Sequence, residues 1–187
     1  MLSPNFIKAT INKLNLRMPT RDVLVDTNVL LDLFSGENKY RYDKFWEHSL
    51  ENNITLYVTT LTISEYINRK CRTAYEVYRD NLCDREEKGE SIDDVEFEYK
   101  RGFQKTSEYT NVLDDSLKQV RIILNDVQLI DIEHDELKDI EPSNYNLKDF
   151  NDAIFYHLAT KNSFGIVTHD RDFLESPSPL IVYTNLN

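Results

Sequence analysis

The stretch Val23-Leu24-Val25-Asp26-Thr27-Asn28-Val29-Leu30-Leu31 decides the fold. An apolar, β-branched run leads straight into an acid, and apolar residues at helical spacing follow. A strand with no polar face is buried on both sides, the condition of a parallel sheet covered by helices. In open sheets of that kind functional groups gather beyond the carboxyl ends of the strands, and Asp26 stands at such an end. An N-cap for the following helix is an equally good use of Asp26.

Four further runs read as strands: Ile54 to Val58, Leu129 to Ile132, Ile166-Val167 and Leu180 to Tyr183. Helical stripes fill the gaps. Ile63, Ile67, Cys71, Ala74, Tyr78 and Leu82 form one, and Leu113, Leu117, Val120, Leu124 and Val127 a second. Phe150, Ile154, His157 and Leu158 form a third. Strands alternating with helices predict an α/β fold of three layers, helices on both faces of a mostly parallel five-stranded sheet with right-handed crossovers. Ser3-Pro4 followed by Ile7, Ile11, Leu14 and Met18 predicts an amphipathic N-terminal helix over residues 1–20, ended by Pro19. The expected organisation is a single domain over 1–187, with residues 72–126 as a helical insertion or cap. The acid-rich run Asp84 to Glu98 reads as a solvated helix end or loop.

Composition narrows the class. With 40% hydrophobic and 29% charged residues, four Gly and five Pro, the chain has the make-up of a packed globular protein. No apolar run approaches the roughly 20 residues needed to cross a bilayer, and residues 1–21 hold no secretory-type apolar stretch. Two cysteines, Cys71 and Cys83, make no disulfide framework. The expectation is a cytoplasmic protein without membrane partners. A net charge of −11 argues against broad, sequence-blind nucleic-acid binding, so any basic contact region must be local.

Three more segments place acids at strand ends or in early helical turns. Val167-Thr168-His169-Asp170-Arg171-Asp172-Phe173 ends a strand in two acids, which a turn would also explain. In Leu147-Lys148-Asp149-Phe150-Asn151-Asp152-Ala153-Ile154, Asp149 and Asp152 are three apart, with Asn146 available as the cap. In Thr60-Leu61-Thr62-Ile63-Ser64-Glu65, Thr62 and Glu65 have the spacing of a capping box. If these acids converge, each close pair repels by roughly 4 kcal/mol at an effective dielectric near 20. Protonation or a cation must relieve that repulsion, and oxygen ligands without His or Cys favour Mg²⁺ or Mn²⁺. Hydrolysis of a phosphodiester is chemistry that uses such an ion.

With these four ordered segments, Asp26-Thr27-Asn28, Glu65, Asp152-Ala153 and Thr168-His169-Asp170-Arg171-Asp172-Phe173, the chain resembles the PIN-domain nucleases over residues 21–184. It is similar to the bacterial toxin-type ribonucleases of that family, with a longer helical insertion. The resemblance implies a five-stranded parallel sheet and Mg²⁺- or Mn²⁺-dependent endonucleolytic cleavage of single-stranded RNA, with one or two ions. By position it implies that Asp26, Glu65, Asp152 and Asp170 carry catalysis and bind the metal, with Asp172 as a further ligand. Asn28, Thr168 and Asp149 would support them. It also implies an antitoxin-like protein inhibitor for members that are toxins, and a homodimer is compatible with the sequence.

Candidate substrate contacts are Arg69, Lys70 and Arg72, and Lys39 and Arg41 followed by Lys44, the latter interleaved with Tyr40, Tyr42, Phe45 and Trp46. Cations among aromatics suit phosphate contact and base stacking, although the same pattern describes a helix whose aromatics are core. His169 reads as a solvated turn residue beside Asp170, and His48, His134 and His157 lack ligand spacing. A haloacid-dehalogenase-type phosphatase needs an acid where Asn28 stands, and a receiver domain needs a late Lys that is not found. An acidic, non-enzymatic interaction protein remains the other alternative, and it predicts scattered acids and no metal response.

Overall fold

The structure is a computed structural model that describes residues 9–34, 36, 38–145, 147, 149–175 and 179–185. The chain divides into two compact units, Met1–Ile63 with Leu124–Asn187, and Ser64–Ile123. The first unit holds the sheet. Its strands are β1 (Thr10–Lys13), β2 (Val23–Val25), β3 (Leu56–Val58), β4 (Val127–Leu129), β5 (Gly165–Val167) and β6 (Ile181–Thr184). They lie in the order β1-β6-β5-β2-β3-β4, and every pairing is parallel.

The apolar runs explain the centre of this sheet. Val23, Leu24, Val25, Ile166 and Val167 are fully buried, as strands covered on both faces must be. The helices are α1 (Thr27–Phe34), α2 (Asp43–Glu51), α3 (Thr60–Glu87), α4 (Ser107–Asp126), α5 (His134–Leu137), α6 (Phe150–Asn162) and α7 (Arg171–Leu174). One core cluster joins Leu24, Ile166 and Val182 to Ala153, Ile154, Phe155, Leu158 and Ala159 of α6 and to Phe173 of α7. Burying each large side chain there contributes about 1.5–3 kcal/mol. The α6 stripe differs from expectation: Phe150 is exposed, while Ala153 to Tyr156, Leu158 and Ala159 are buried, so the helix is apolar nearly all round.

The predicted helix over residues 1–20 is corrected. Residues 1–8, including Ser3-Pro4 and Ile7, lie outside the described residues, but Thr10–Lys13 is a strand paired with β6. Burial there has the strand period of two: Asn12 and Leu14 are buried, whereas Ile11 is exposed. An apolar residue faces out and a polar one faces in, so the sequence imitates a helical stripe. Pairing along β6 overrides that pattern, and it gives the sheet six strands where five were expected.

Strand boundaries move as well. The run expected at Leu129 to Ile132 pairs as Val127–Leu129, because Val58 fixes the register through the Ile130 N–H at 3.0 Å. The predicted capping box at Thr62 is replaced by a cap one turn earlier, where the Thr59 Oγ1 accepts from the Thr62 N–H at 3.0 Å. Asn146, expected to cap α6, lies outside the described residues. The helix is capped by Asp149, whose Oδ1 accepts from the N–H groups of Asn151 at 2.7 Å and Asp152 at 3.4 Å.

The second unit is helical. The Tyr66 hydroxyl of α3 donates to Gln119 of α4 at 2.5 Å, and the rings of Tyr75, Tyr78, Tyr99 and Tyr109 pack around buried Phe103. Gly102 precedes Phe103 because a Cβ there would lie 2.4 Å from the carbonyl oxygens of Val95 and Glu96. The run Asp84 to Glu98 spans the end of α3, an exposed loop and a short 3₁₀ turn, largely solvated as expected.

Candidate active site

Strand order explains where the acids gather. From β2 the chain winds to β3 and β4 on one side, then returns to place β5 against the other side of β2. Connections leave β2 and β5 in opposite directions, which makes their carboxyl ends the topological switch point, the usual place for ligands in open α/β sheets. Asp26 directly follows β2, and Thr168 to Asp170 directly follow β5.

Thr168 ties the two strand ends together. Its buried hydroxyl donates to the Asp26 Oδ2 at 2.5 Å. It accepts from the Asn28 Nδ2 at 3.1 Å and from the Asp170 N–H at 2.8 Å. One donor and two lone pairs are thereby used in full. Asn28 is spent in the same way: its Nδ2 also donates to the Asp26 Oδ2 at 2.6 Å, and its Oδ1 accepts from the His169 N–H at 3.3 Å. The Asp26 carboxylate is therefore oriented by two donors from two different strand ends.

The neighbouring acids are held by helix starts. Asp170 caps α7, its Oδ1 accepting from the Asp172 N–H at 2.9 Å. Asp149 caps α6 and so precedes that helix instead of sharing its face, and Asp152 lies in the first turn. Asp152 is half-buried, and its carboxyl is pushed up to about 7. Burial is the main cause; the charges of Asp149, Asp170, Asp26 and Asp172 add to it. Those five acids thus share one electrostatic environment although they come from three segments of the sequence.

Glu65 belongs to the second unit, in the second turn of α3, a helix whose first turn lies in the first unit. Its side chain pairs with Arg69 at 3.2 Å. Since Thr59 caps α3, Glu65 is not spent on a capping box. Of the cations expected at substrate, Arg72 stacks over Tyr99 at 4.2 Å within the second unit. Lys39 and Arg41 line a cavity of about 540 Å³ in the first unit, together with Lys13 and Lys44. Lys70 lies in α3 and is partly buried.

His169 is not the solvated turn residue that its neighbours suggest. It is half-buried, its ring stacks on Tyr40 at 4.3 Å, and its Nδ1 lies 3.3 Å from the Tyr42 hydroxyl. Burial holds its imidazole below the usual histidine range, and burial pushes the Tyr42 phenol well up. Asp32 escaped the sequence reading too. Buried in α1, it accepts from the Tyr40 N–H with both carboxylate oxygens at 3.2 Å. The signal was present: one acid inside the apolar run Val29-Leu30-Leu31-Asp32-Leu33.

The donor set fits a hard divalent cation. It is all oxygen, and it carries a repulsion that a cation relieves. Among the described residues no three His, Cys, Asp or Glu side chains already enclose a point where an ion could sit.

The fold is a parallel α/β sheet with acids at its switch point, and the comparisons narrow it further. The family model for the PIN domain matches residues 23–177. The chain belongs to the PIN-domain family, whose members are generally nucleases and typically use divalent metal ions. A search of curated proteins gives no match. Among solved structures, PAE2754 from Pyrobaculum aerophilum is 20% identical with a TM-score of 0.48, the alignment covering 87% of this chain and 89% of that one. FitAcB from Neisseria gonorrhoeae is 17% identical with a TM-score of 0.47, covering 87% of this chain and 97% of that one. No helix among the described residues is long and apolar enough to cross a membrane.

Proposed function

We propose that the protein is a Mg²⁺- or Mn²⁺-dependent endoribonuclease acting on single-stranded RNA. The observation that carries this reading is the shared environment of Asp26, Asp149, Asp152, Asp170 and Asp172, expressed in the raised Asp152 carboxyl. Asp26, Asp152, Asp170 and Asp172 would hold the metal. A bound divalent ion supplies charge neutralisation at the phosphate and a more acidic water as the nucleophile.

The chain's own residues have separate tasks. Asn28 and Thr168 fix the orientation of the Asp26 carboxylate. Asp149 sets the start of α6 and, through its charge, raises the proton affinity of Asp152. With its carboxyl pushed up to about 7 by burial and the neighbouring acids, Asp152 would have to lose its proton to serve as a ligand. As in toxin-type members of the family, a small protein inhibitor covering the acids is the regulator we propose, in a cytoplasmic setting.

Cleavage of single-stranded RNA with Mn²⁺, with Mn²⁺ plus chelator, and on single-stranded DNA tests the proposal. Asp26→Asn and Asp152→Asn should each lower the rate by about 10²–10³-fold or more, since the ion's charge stabilisation is worth several kcal/mol. Full activity in both variants would overturn the assignment.

A further inference from the structure

The register of the sheet carries a second site. Val25 pairs with Val167, Val167 with Tyr183, and Tyr183 with Asn12. One residue further along each strand stand Asp26, Thr168, Thr184 and Lys13, with Lys13 and Thr184 paired. All strands are parallel, so these four residues form one row along the carboxyl edge, acid at one end and cation at the other. Three strand spacings separate the ends, about 14 Å.

The cationic end is a formed cavity of about 540 Å³. Lys13, Lys39, Arg41 and Lys44 line it, together with Tyr40 and Asn185. Four cations meet there on a chain of net charge −11. Among the described residues, none of the four is ion-paired to a carboxylate. Asp43 is near enough to feel the charges of Arg41 and Lys44, but one acid against four cations leaves the cluster net positive, and an anion would balance it.

The wall that bears them is fixed at some cost. Asn38 and Arg41 both sit in the left-handed region, at φ 42° and 55°. Such strain persists where the surroundings over-determine it. Here the Tyr40 N–H is held by both oxygens of Asp32, and its carbonyl accepts from the Asn185 Nδ2 at 2.7 Å. Tyr40 in turn stacks on His169, the residue before Asp170. A stacked pair of rings thus links the cationic cavity to the acids.

We propose that this cavity seats the phosphodiester backbone of a single-stranded nucleic acid flanking the cleaved bond, the strand running along the sheet edge past Tyr40 to the acids. The inference rests on the nuclease reading for the position of the cleaved bond. It assigns binding to Lys13 and Lys44, which belong to different elements from the acids, and leaves Arg69 and Arg72 to contacts within their own unit.

Fluorescence anisotropy of a labelled single-stranded RNA with the full chain, in chelator so that nothing is cut, tests it. Lys13 and Lys44 are exposed, so the Lys13→Gln/Lys44→Gln variant folds as the parent does, which a melting curve checks. The double variant should bind at least tenfold more weakly. Its dependence of log Kd on log salt should flatten by about 1.4, roughly 0.7 per cation for a single strand. Lys138→Gln, which removes a cation paired with Asp135, should change neither. Parent-like affinity and slope in the double variant overturn the inference while leaving the cleavage assay to judge the nuclease reading. Polyglutamate displacing the RNA at lower concentration than unlabelled RNA also overturns it, because the occupant is then an acidic protein. Weakened RNA binding by the double variant, in a parent that does not cut RNA with Mn²⁺, supports the cavity and fails the nuclease reading alone.

Discussion

Two groups of acids in this chain meet opposite fates. In the run Asp84 to Glu98 each charge finds a local partner or solvent. Arg85 donates to Glu90 at 2.8 Å, Arg101 binds Glu98, and Asp93 and Glu96 cap a 3₁₀ turn between them. In the sheet unit the charges of Asp26, Asp149, Asp170 and Asp172 converge on Asp152 and add to the effect of its burial. Exposed pairs such as the first group contribute little to stability because water screens them. In the second group Asp26 and Asp152 are partly buried, so the repulsion acting on Asp152 is less screened and is available to a cation. Local charge density is therefore a poor guide to function, and charges far apart in sequence that converge are the better one.

The comparison breaks most sharply at Thr168. Thr168→Val keeps the shape and removes the hydroxyl that joins Asp26, Asn28 and Asp170. Metal affinity, read from the Mn²⁺ concentration that raises the melting temperature, should fall about 10- to 100-fold, the usual cost of losing an orienting partner. Thr168→Ser should retain most of it. Equal Mn²⁺ affinity in the Val variant would show that the hydroxyl orients nothing of consequence.

A pH series sharpens the same contrast with a smaller effect. The folded state holds the Asp152 proton up to about 7, whereas the ordinary carboxyl releases it at 3.8. Between these values the native state binds more protons than the unfolded one, so this group's contribution to stability is present at low pH and is lost as pH rises toward 7. The melting temperature of chelated protein should carry a downward contribution over that window, and Asp152→Asn should remove it. Added Mg²⁺ should flatten it in the parent. Identical pH profiles for parent and variant would mean that neither burial nor its neighbours shift Asp152.

The smallest effect belongs to the other group. Glu90→Gln combined with Asp94→Asn should leave both cleavage rate and melting temperature unchanged within error. A clear loss of activity would give the acid run a role that its local pairing does not suggest.

The centre of the fold was legible because its residues have no choice. Val23 to Val25 and Ile166-Val167 are apolar on both faces, and only a covered sheet satisfies them. The edge was less legible. Ile11 points outward and Asn12 inward, so β1 carries a helical rhythm by accident of residue type, and only its pairing with β6 reveals a strand. The acids of the candidate site were named from their places after strands and in early helical turns. His169 was misjudged because its burial comes from Tyr40 and Tyr42, more than a hundred residues away along the chain.

The sequence by itself determined the α/β alternation, the acids at the ends of β2 and β5, and the absence of any apolar run fit for a bilayer, since these depend on local pattern and residue chemistry. Tertiary structure alone decided the sixth strand, the Thr168 hydroxyl as the joint of the acid site, and the meeting of Lys13 with Lys39, Arg41 and Lys44. The reason is that each of these is a relation between strands whose order in space differs from their order in the chain, and hydrogen-bond register carries that information where composition and periodicity do not.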